Sequence, residues 1–265
     1  MTLDDQNASA KPLAVETVGL AKDYGRFGAL RGLDLSVPEG SVFALLGANG
    51  AGKTTLIKTL LNILTPSRGI ARVLGVDSRD IGAGLLAQVG YVSENQVLPA
   101  RLRVADFFDY VRDCYPTWNR PLEAALRERF ALPPDRKVGA LSHGMRLKVA
   151  LACAMPFRPR LLVLDEPLSG LDALARDELI EGFMRLAGET TILISSHELD
   201  EVERFATDVA FLHEGRLLFQ GSRAALAAEA RTLAGAMPAT GRSLRDTFIA
   251  MVRAARGRPD DRVVA

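Results

Sequence analysis

Ser41-Val-Phe-Ala-Leu-Leu-Gly47-Ala-Asn-Gly-Ala-Gly52-Lys53-Thr54 joins an apolar run to a glycine-rich turn that ends in a basic residue and a hydroxyl. Ser41 to Leu46 is apolar after its first residue, which predicts a strand buried on both faces. A helix should follow from Gly52 to about Leu64, ended by Pro66 and Gly69. The turn fits the spacing G-x-x-x-x-G-K-[ST]. Its glycines let the backbone curl so that several N–H groups converge. The helix N-terminus adds about half a positive charge. Such a cradle holds phosphate. The candidate contacts are Gly47, Asn49, Gly50, Gly52, Lys53, Thr54 and Thr55. Lys53 reaches toward β- and γ-phosphates, and the Thr54 hydroxyl can ligate Mg²⁺. A plain glycine-rich turn is the alternative, but it leaves the strand-before-helix context unexplained.

Downstream, Arg160-Leu-Leu-Val-Leu-Asp165-Glu166-Pro167 is a second buried strand, ending in two acids. In an α/β fold such a strand delivers its carboxyl end to the ligand edge of the sheet. Asp165 is placed to hold Mg²⁺, directly or through water. Glu166 is placed to orient and polarise an attacking water.

Around these two stretches, elements alternate in a way that predicts a parallel α/β core. Short alternating runs from Leu13 to Val37 predict an antiparallel layer. Ile70 to Val76 and Val89 to Val92 predict strands. Val104 to about Phe130 is helical in texture, broken at Cys114-Tyr-Pro-Thr-Trp-Asn-Arg-Pro121 because Pro116 and Pro121 do not fit a helix interior. Further helices are expected from Ser142 to Met155, Ala173 to Ala187 and Glu198 to Phe205. Strands are expected at Leu161 to Leu164 and Thr191 to Ser195, with a hairpin turning at His213-Glu214-Gly215. Ser243 with Asp246 resembles a capping box opening a last helix, with Leu244, Phe248 and Met251 on one face.

The 265 residues suffice for a large core without metal or disulfide staples. Thirty-three basic against 32 acidic residues give a net charge of +1, so no global pull toward nucleic acid arises. Two cysteines, Cys114 and Cys153, make no secreted disulfide framework, and a reduced cytoplasmic setting is expected. No run approaches the ~20 apolar residues of a membrane span, so a membrane role needs a partner.

Three further segments carry a family resemblance: Leu141-Ser142-His143-Gly144-Met145 before the Asp165 strand, Ser169-Gly170-Leu171-Asp172 after it, and Ser195-Ser196-His197 closing the next strand. With the glycine-rich turn, they resemble the ATP-binding subunit of ABC transporters over roughly residues 13–220; Tyr115-Pro-Thr-Trp118-Asn119 and Ser142-His143-Gly144-Met145 resemble, more loosely, the branch of single-cassette bacterial exporters. The fold implied is an α/β P-loop NTPase core, mainly parallel, with an antiparallel β layer near the N-terminus and an inserted helical subdomain at about 94–158. Residues 1–12 would be a flexible tail, 13–222 the ATPase domain and 223–265 a short helical extension. The resemblance implies ATP and Mg²⁺ as cofactors. It implies two subunits packed head to tail, as a homodimer or with a paralogue. It also implies transmembrane permease partners and a location on the inner face of the cell membrane, with no nucleic-acid partner. Ser142 and the Gly144 N–H would then bind the γ-phosphate of the partner's ATP, and Asp172 would touch the partner. His197 would hydrogen-bond the γ-phosphate and hold the water with Glu166. Tyr24 would stack on adenine, with Phe27 as the fallback; a core aromatic is the competing account of Tyr24.

The sequence departs from the family pattern in places. His143 and Met145 replace a glycine and a glutamine of the usual Leu-Ser-Gly-Gly-Gln, and His143 either lies near phosphate or points to solvent. Glu94 stands where the family has a glutamine that touches Mg²⁺ and the membrane subunit, and Gln96 is the alternative. Phe107, Phe108, Tyr110, Tyr115 and Trp118 either pack the helical subdomain or form a docking surface. The rival class is a soluble ABC ATPase acting on nucleic acid or ribosomes. The balanced charge, single cassette and lack of sustained heptads count against it.

Overall fold

The computed structural model describes residues 11–186, 188–233 and 244–256. Two long strands, β1 (Leu13–Tyr24) and β2 (Phe27–Pro38), lead to β3 (Val42–Leu46) and α1 (Lys53–Leu60). β4 (Arg68–Val73), the short β5 (Val76–Asp77) and α2 (Ala83–Leu86) precede β6 (Val89–Ser93). Three helices follow: α3 (Val104–Arg112), α4 (Arg120–Arg129) and α5 (His143–Ala154). The chain then alternates through β7 (Leu161–Asp165), α6 (Ala173–Leu186), β8 (Thr191–Ser196) and α7 (Leu199–Val202). It ends with β9 (Asp208–His213), β10 (Arg216–Ser222), α8 (Arg223–Leu233) and α9 (Leu244–Arg256).

The strands form two sheets. One has the order β10-β9-β3-β8-β7-β6, parallel from β9 to β6 with β10 antiparallel at its edge. The other is antiparallel, β2-β1-β4-β5. Side chains alternate across a strand, so each central strand feeds two cores. Val42, Ala44 and Leu46 of β3 join Leu162, Leu164, Ile192 and Ile194 in the core beneath α3–α6. Phe43 and Leu45 join Leu161, Val163 and Leu193 in the core shared with α1 and the antiparallel sheet. All these residues are at most 1% exposed. The polar groups of β3, β7 and β8 are thereby confined to their ends.

The structure corrects several expectations. Pro121 lies inside α4, in its first turn. First-turn N–H groups have no intrahelical partner, so proline loses nothing there. The helix expected over 198–205 shortens to α7, and the one expected to reach Leu64 stops at Leu60. His213 closes β9 instead of sitting in the turn. The Ala-rich α8 has no strong apolar stripe, and its pattern did not announce it. Ser243 and residues 1–10 lie outside the described residues. In α9, Leu244 and Met251 are buried and Phe248 meets Phe211 edge-on at 5.2 Å.

The helical module is pinned by one carboxylate. Glu123 on α4 is 4% exposed. Arg112 of α3 grips both its oxygens through Nε (3.0 Å) and Nη2 (2.8 Å), Trp118 Nε1 donates at 2.8 Å and Arg127 at 3.1 Å. Tyr115 stacks on Phe157 at 4.0 Å, tying the turn between α3 and α4 to the end of α5. Phe107 and Phe108 are buried as well, so packing accounts for four of the five aromatics; Tyr110 alone is well exposed. Burial pushes the Glu123 carboxyl up, but hydrogen bonds from Trp118, Arg112 and Arg127 outweigh it and hold it below the usual range. A lowered folded pKa gives stability that is present above the unfolded value and lost as pH falls through the folded one. Glu123→Gln leaves two guanidinium groups short of a buried counter-charge. It should destabilise the protein by about 3–5 kcal/mol in urea unfolding at pH 7. The gap between Glu123→Gln and wild type should shrink as pH drops below about 4.

Candidate functional site

The carboxyl ends of β3, β7 and β8 meet at one edge of the parallel sheet. Gly47 follows β3, and its N–H donates to the Ser196 carbonyl at 3.3 Å. A Cβ at Gly47 would overlap the Leu212 carbonyl oxygen, so the loop can pass β9 this closely only as glycine. Gly52 caps α1 in the left-handed region (φ 109°) without a side-chain hydrogen bond. α5, by contrast, is capped by Ser142, whose Oγ accepts from the Met145 N–H at 3.2 Å. The start of α1 therefore keeps its N–H groups turned toward the loop, where an anion can take them.

Lys53 is 5% exposed and bends back over this loop. Its Nζ donates to the carbonyls of Gly47 (2.6 Å) and Ala48 (3.2 Å) and pairs with Glu166 Oε1 at 3.0 Å. The other Glu166 oxygen, Oε2, lies 2.8 Å from His197 Nδ1 and accepts the His197 backbone N–H at 3.3 Å. One carboxylate thus bridges the lysine of the loop and the histidine after β8. Glu166 adopts φ 52°, a left-handed backbone that costs a non-glycine residue roughly 1–2 kcal/mol. The surrounding contacts hold it there.

Asp165 sits one residue earlier, at the end of β7. Thr54 Oγ1 donates to its Oδ1 at 3.2 Å, and Ser195 Oγ donates to the same oxygen at 2.6 Å. Two hydroxyls on Oδ1 leave Oδ2 to a cation. A cleft of about 100 Å³ opens beside them, lined by Thr54, Ser93, Glu94, Asp165 and Glu166, with Lys58 and Asn95 also on its wall. Their carboxylates and hydroxyls are hard oxygen donors, the donor type that suits Mg²⁺ shared with phosphate oxygens. Tyr91 also lines the cleft. Burial pushes its phenol up, the Asp165 charge adds to this, and a hydrogen bond with Ser93 opposes it.

Glu94 borders the cleft and Gln96 does not. The Glu94 N–H donates to the Asp165 carbonyl at 2.9 Å, and its Oε1 accepts from Ser169 Oγ at 2.8 Å. Gln96 folds back on Ser93 and lines a separate, water-sized cavity of about 20 Å³ with His143 and Arg146. The half-buried His143 ring faces Gly170.

Lys53, Thr54, Glu94, Asp165, Glu166 and His197 therefore converge within one chain. Ser142, Gly144 and Asp172 have other partners here. Ser142 caps α5, Gly144 lies against Leu171, and Asp172 Oδ1 accepts from the Ala175 N–H at 2.9 Å. Tyr24, 48% exposed at the β1–β2 turn, is no core aromatic; Lys22 Nζ lies 5.4 Å from its ring centre. Phe27 is more exposed still. Sequence patterns missed Ser195, which touches both acids. Its place in the segment Ser195-Ser196-His197 was visible, but nothing local gave it a role of its own.

A sequence profile of the ABC transporter family matches residues 30–169. Among curated proteins, the chain is 34% identical over 208 residues to the bacitracin transport ATP-binding protein BcrA of Enterococcus faecalis, covering 77% of this chain and 68% of that protein. It is 36% identical over 212 residues to the daunorubicin resistance ATP-binding protein DrrA2 of Streptomyces coeruleorubidus, covering 77% and 66%. The chain thus spans about two thirds of these relatives' length. A solved ATP-binding subunit of an ABC transporter superposes with a TM-score of 0.81 at 27% identity, over 91% of this chain and all of that one.

Gly47→Ala forces a methyl group into the Leu212 carbonyl. Overpacking of this kind costs about 1–3 kcal/mol. The expected result is a lower urea midpoint together with at least a tenfold loss of affinity for a fluorescent ATP analogue. Retention of both would show that the loop passes β9 differently.

Proposed function

The chain belongs to the ABC transporter ATP-binding family, and from that premise we propose how its site hydrolyses ATP to drive export through separately encoded membrane subunits. The observation that carries the mechanism is the Glu166 carboxylate, shared between Lys53 Nζ and His197 Nδ1 at the mouth of the Gly47–Thr54 loop.

In this account the loop N–H groups, with Gly47, Asn49, Gly50, Gly52 and Thr55, cradle the phosphates, and Lys53 turns from Glu166 Oε1 to the β- and γ-phosphates. Glu166 is then free to accept the proton of the attacking water as its oxygen bonds to the γ-phosphorus and the bond to ADP breaks. The His197 Nδ1–H, donating to Oε2, fixes the direction in which the carboxylate faces. Thr54, Asp165 and Glu94 would hold Mg²⁺, which when bound supplies positive charge against the phosphate oxygens. Tyr24, exposed at the β1–β2 turn, offers a ring face for adenine.

Ser142, Gly144 and Asp172 do not reach this cluster within the chain, which supports their use by a second ATPase subunit packed head to tail. Export is supported by the relatives, one named for bacitracin transport and one for daunorubicin resistance. No helix among the described residues is long and apolar enough to cross a membrane. A permease partner would supply the membrane path and hold the subunit at the inner face of the cell membrane. The ATPase unit would be residues 13–222, with 94–158 as its helical subdomain and 223–265 as an extension.

Glu166→Gln removes the proton acceptor but leaves Lys53 its two carbonyl partners, so the variant should fold. Its kcat should fall about 10²–10⁴-fold with ATP affinity kept; an unchanged rate would remove Glu166 from the chemistry. Extraction of tagged wild-type protein from membranes in mild detergent should recover a polytopic membrane protein in near-equal amount. Recovery only from the soluble fraction, bound to nucleic acid or ribosomes, would overturn the transport assignment.

A further inference from the structure

Resting on the ATPase assignment, we infer that Ser195 is a positioning residue that sets the geometry of both acids at once. It lies at the end of β8, in parallel register with Asp165 at the end of β7, and is fully buried. Its hydroxyl donates to Asp165 Oδ1 at 2.6 Å and accepts the Glu166 N–H at 2.9 Å.

A serine hydroxyl has one proton and two lone pairs. With its proton given to Asp165, a lone pair is left to meet the Glu166 amide. The two contacts therefore define each other. The bond to Asp165 fixes the oxygen shared with Thr54, on a carboxylate that lines the cleft. The bond to the Glu166 amide holds the peptide just where the backbone turns into the left-handed region. That turn throws the Glu166 side chain off the line of β7 and toward Lys53 and His197. Ser195 touches neither phosphate nor water; it acts through its two neighbours. An alanine there would leave a buried carboxylate oxygen one donor short and a partly buried amide without its acceptor.

The discriminating experiment compares Ser195→Thr with Ser195→Val in the full chain. The two side chains have nearly the same shape and differ by the hydroxyl. Three quantities are read for each: kcat, the Kd of a fluorescent ATP analogue without divalent ion, and Mn²⁺ half-saturation by electron paramagnetic resonance with a non-hydrolysable ATP analogue. Ser195→Val should lose 10- to 100-fold in kcat and raise the Mn²⁺ half-saturation at least fivefold, with the divalent-free Kd within twofold of wild type. Ser195→Thr should stay within about threefold of wild type in kcat and Mn²⁺ half-saturation. Ser195→Ala should follow Ser195→Val. Equal losses in Thr and Val would assign residue 195 to packing alone and overturn the inference, as would a Ser195→Val variant with wild-type kcat and Mn²⁺ binding. A wild-type chain whose ATPase activity is insensitive to Glu166→Gln would instead strike at the ATPase mechanism, so the two failures are told apart.

Discussion

Three neighbouring parallel strands, β3, β7 and β8, are apolar on both faces and reach the same edge of the sheet. Nothing polar can interrupt them without leaving an unpaired group in one of the two cores. The polar groups of the candidate site on these strands are therefore pushed to the strand ends or just past them: the loop after Leu46, the acids at 165–166, and the serine and histidine at 195 and 197. The register Leu46↔Ser196 and Asp165↔Ser195 aligns them to within one residue. Burial of the sheet and convergence of the site are thus one constraint seen from its two ends.

The parts of this arrangement that depend on local chemistry were open to sequence reading. The Gly47–Thr54 loop announces itself because only glycine permits its curl, and the lysine and threonine follow at fixed offsets. The paired acids could be placed because an apolar run has to end somewhere, and in this class of fold it ends at the ligand edge. Ser195 was not legible in the same way. Its meaning lies in the register between β7 and β8, a relation between residues 30 apart that no local pattern encodes. The choice between Glu94 and Gln96 likewise turned on which side chain borders the cleft. Pro121 misled because its effect depends on whether it meets the first turn of a helix or a later one. The bounds of α8, inside the helical extension expected at 223–265, were not legible because alanine contrasts weakly with its surroundings.

The helical module follows another logic. Its cluster around Glu123 places one buried carboxylate among two guanidinium groups and an indole N–H, so hydrogen bonds tie α3, the following turn and α4 together beside the apolar core they share with the sheet. Breaking any one of these contacts would strand a charge, so the cluster resists local deformation. The module joins the sheet edge through the Glu94 segment, whose backbone bonds to Asp165 and whose side chain bonds to Ser169.

The ion pair between Lys53 and Glu166 has a consequence for selection among anions. The cradle contains a negative group of its own, tied to the lysine and the histidine at once. An entering anion has to outcompete that tethered carboxylate, whose effective concentration at the lysine is high because the fold holds it there. A single free phosphate trades one set of contacts for a similar one and gains little. A triphosphate brings further charges to the loop amides and the start of α1, which the carboxylate does not occupy, and so wins the exchange.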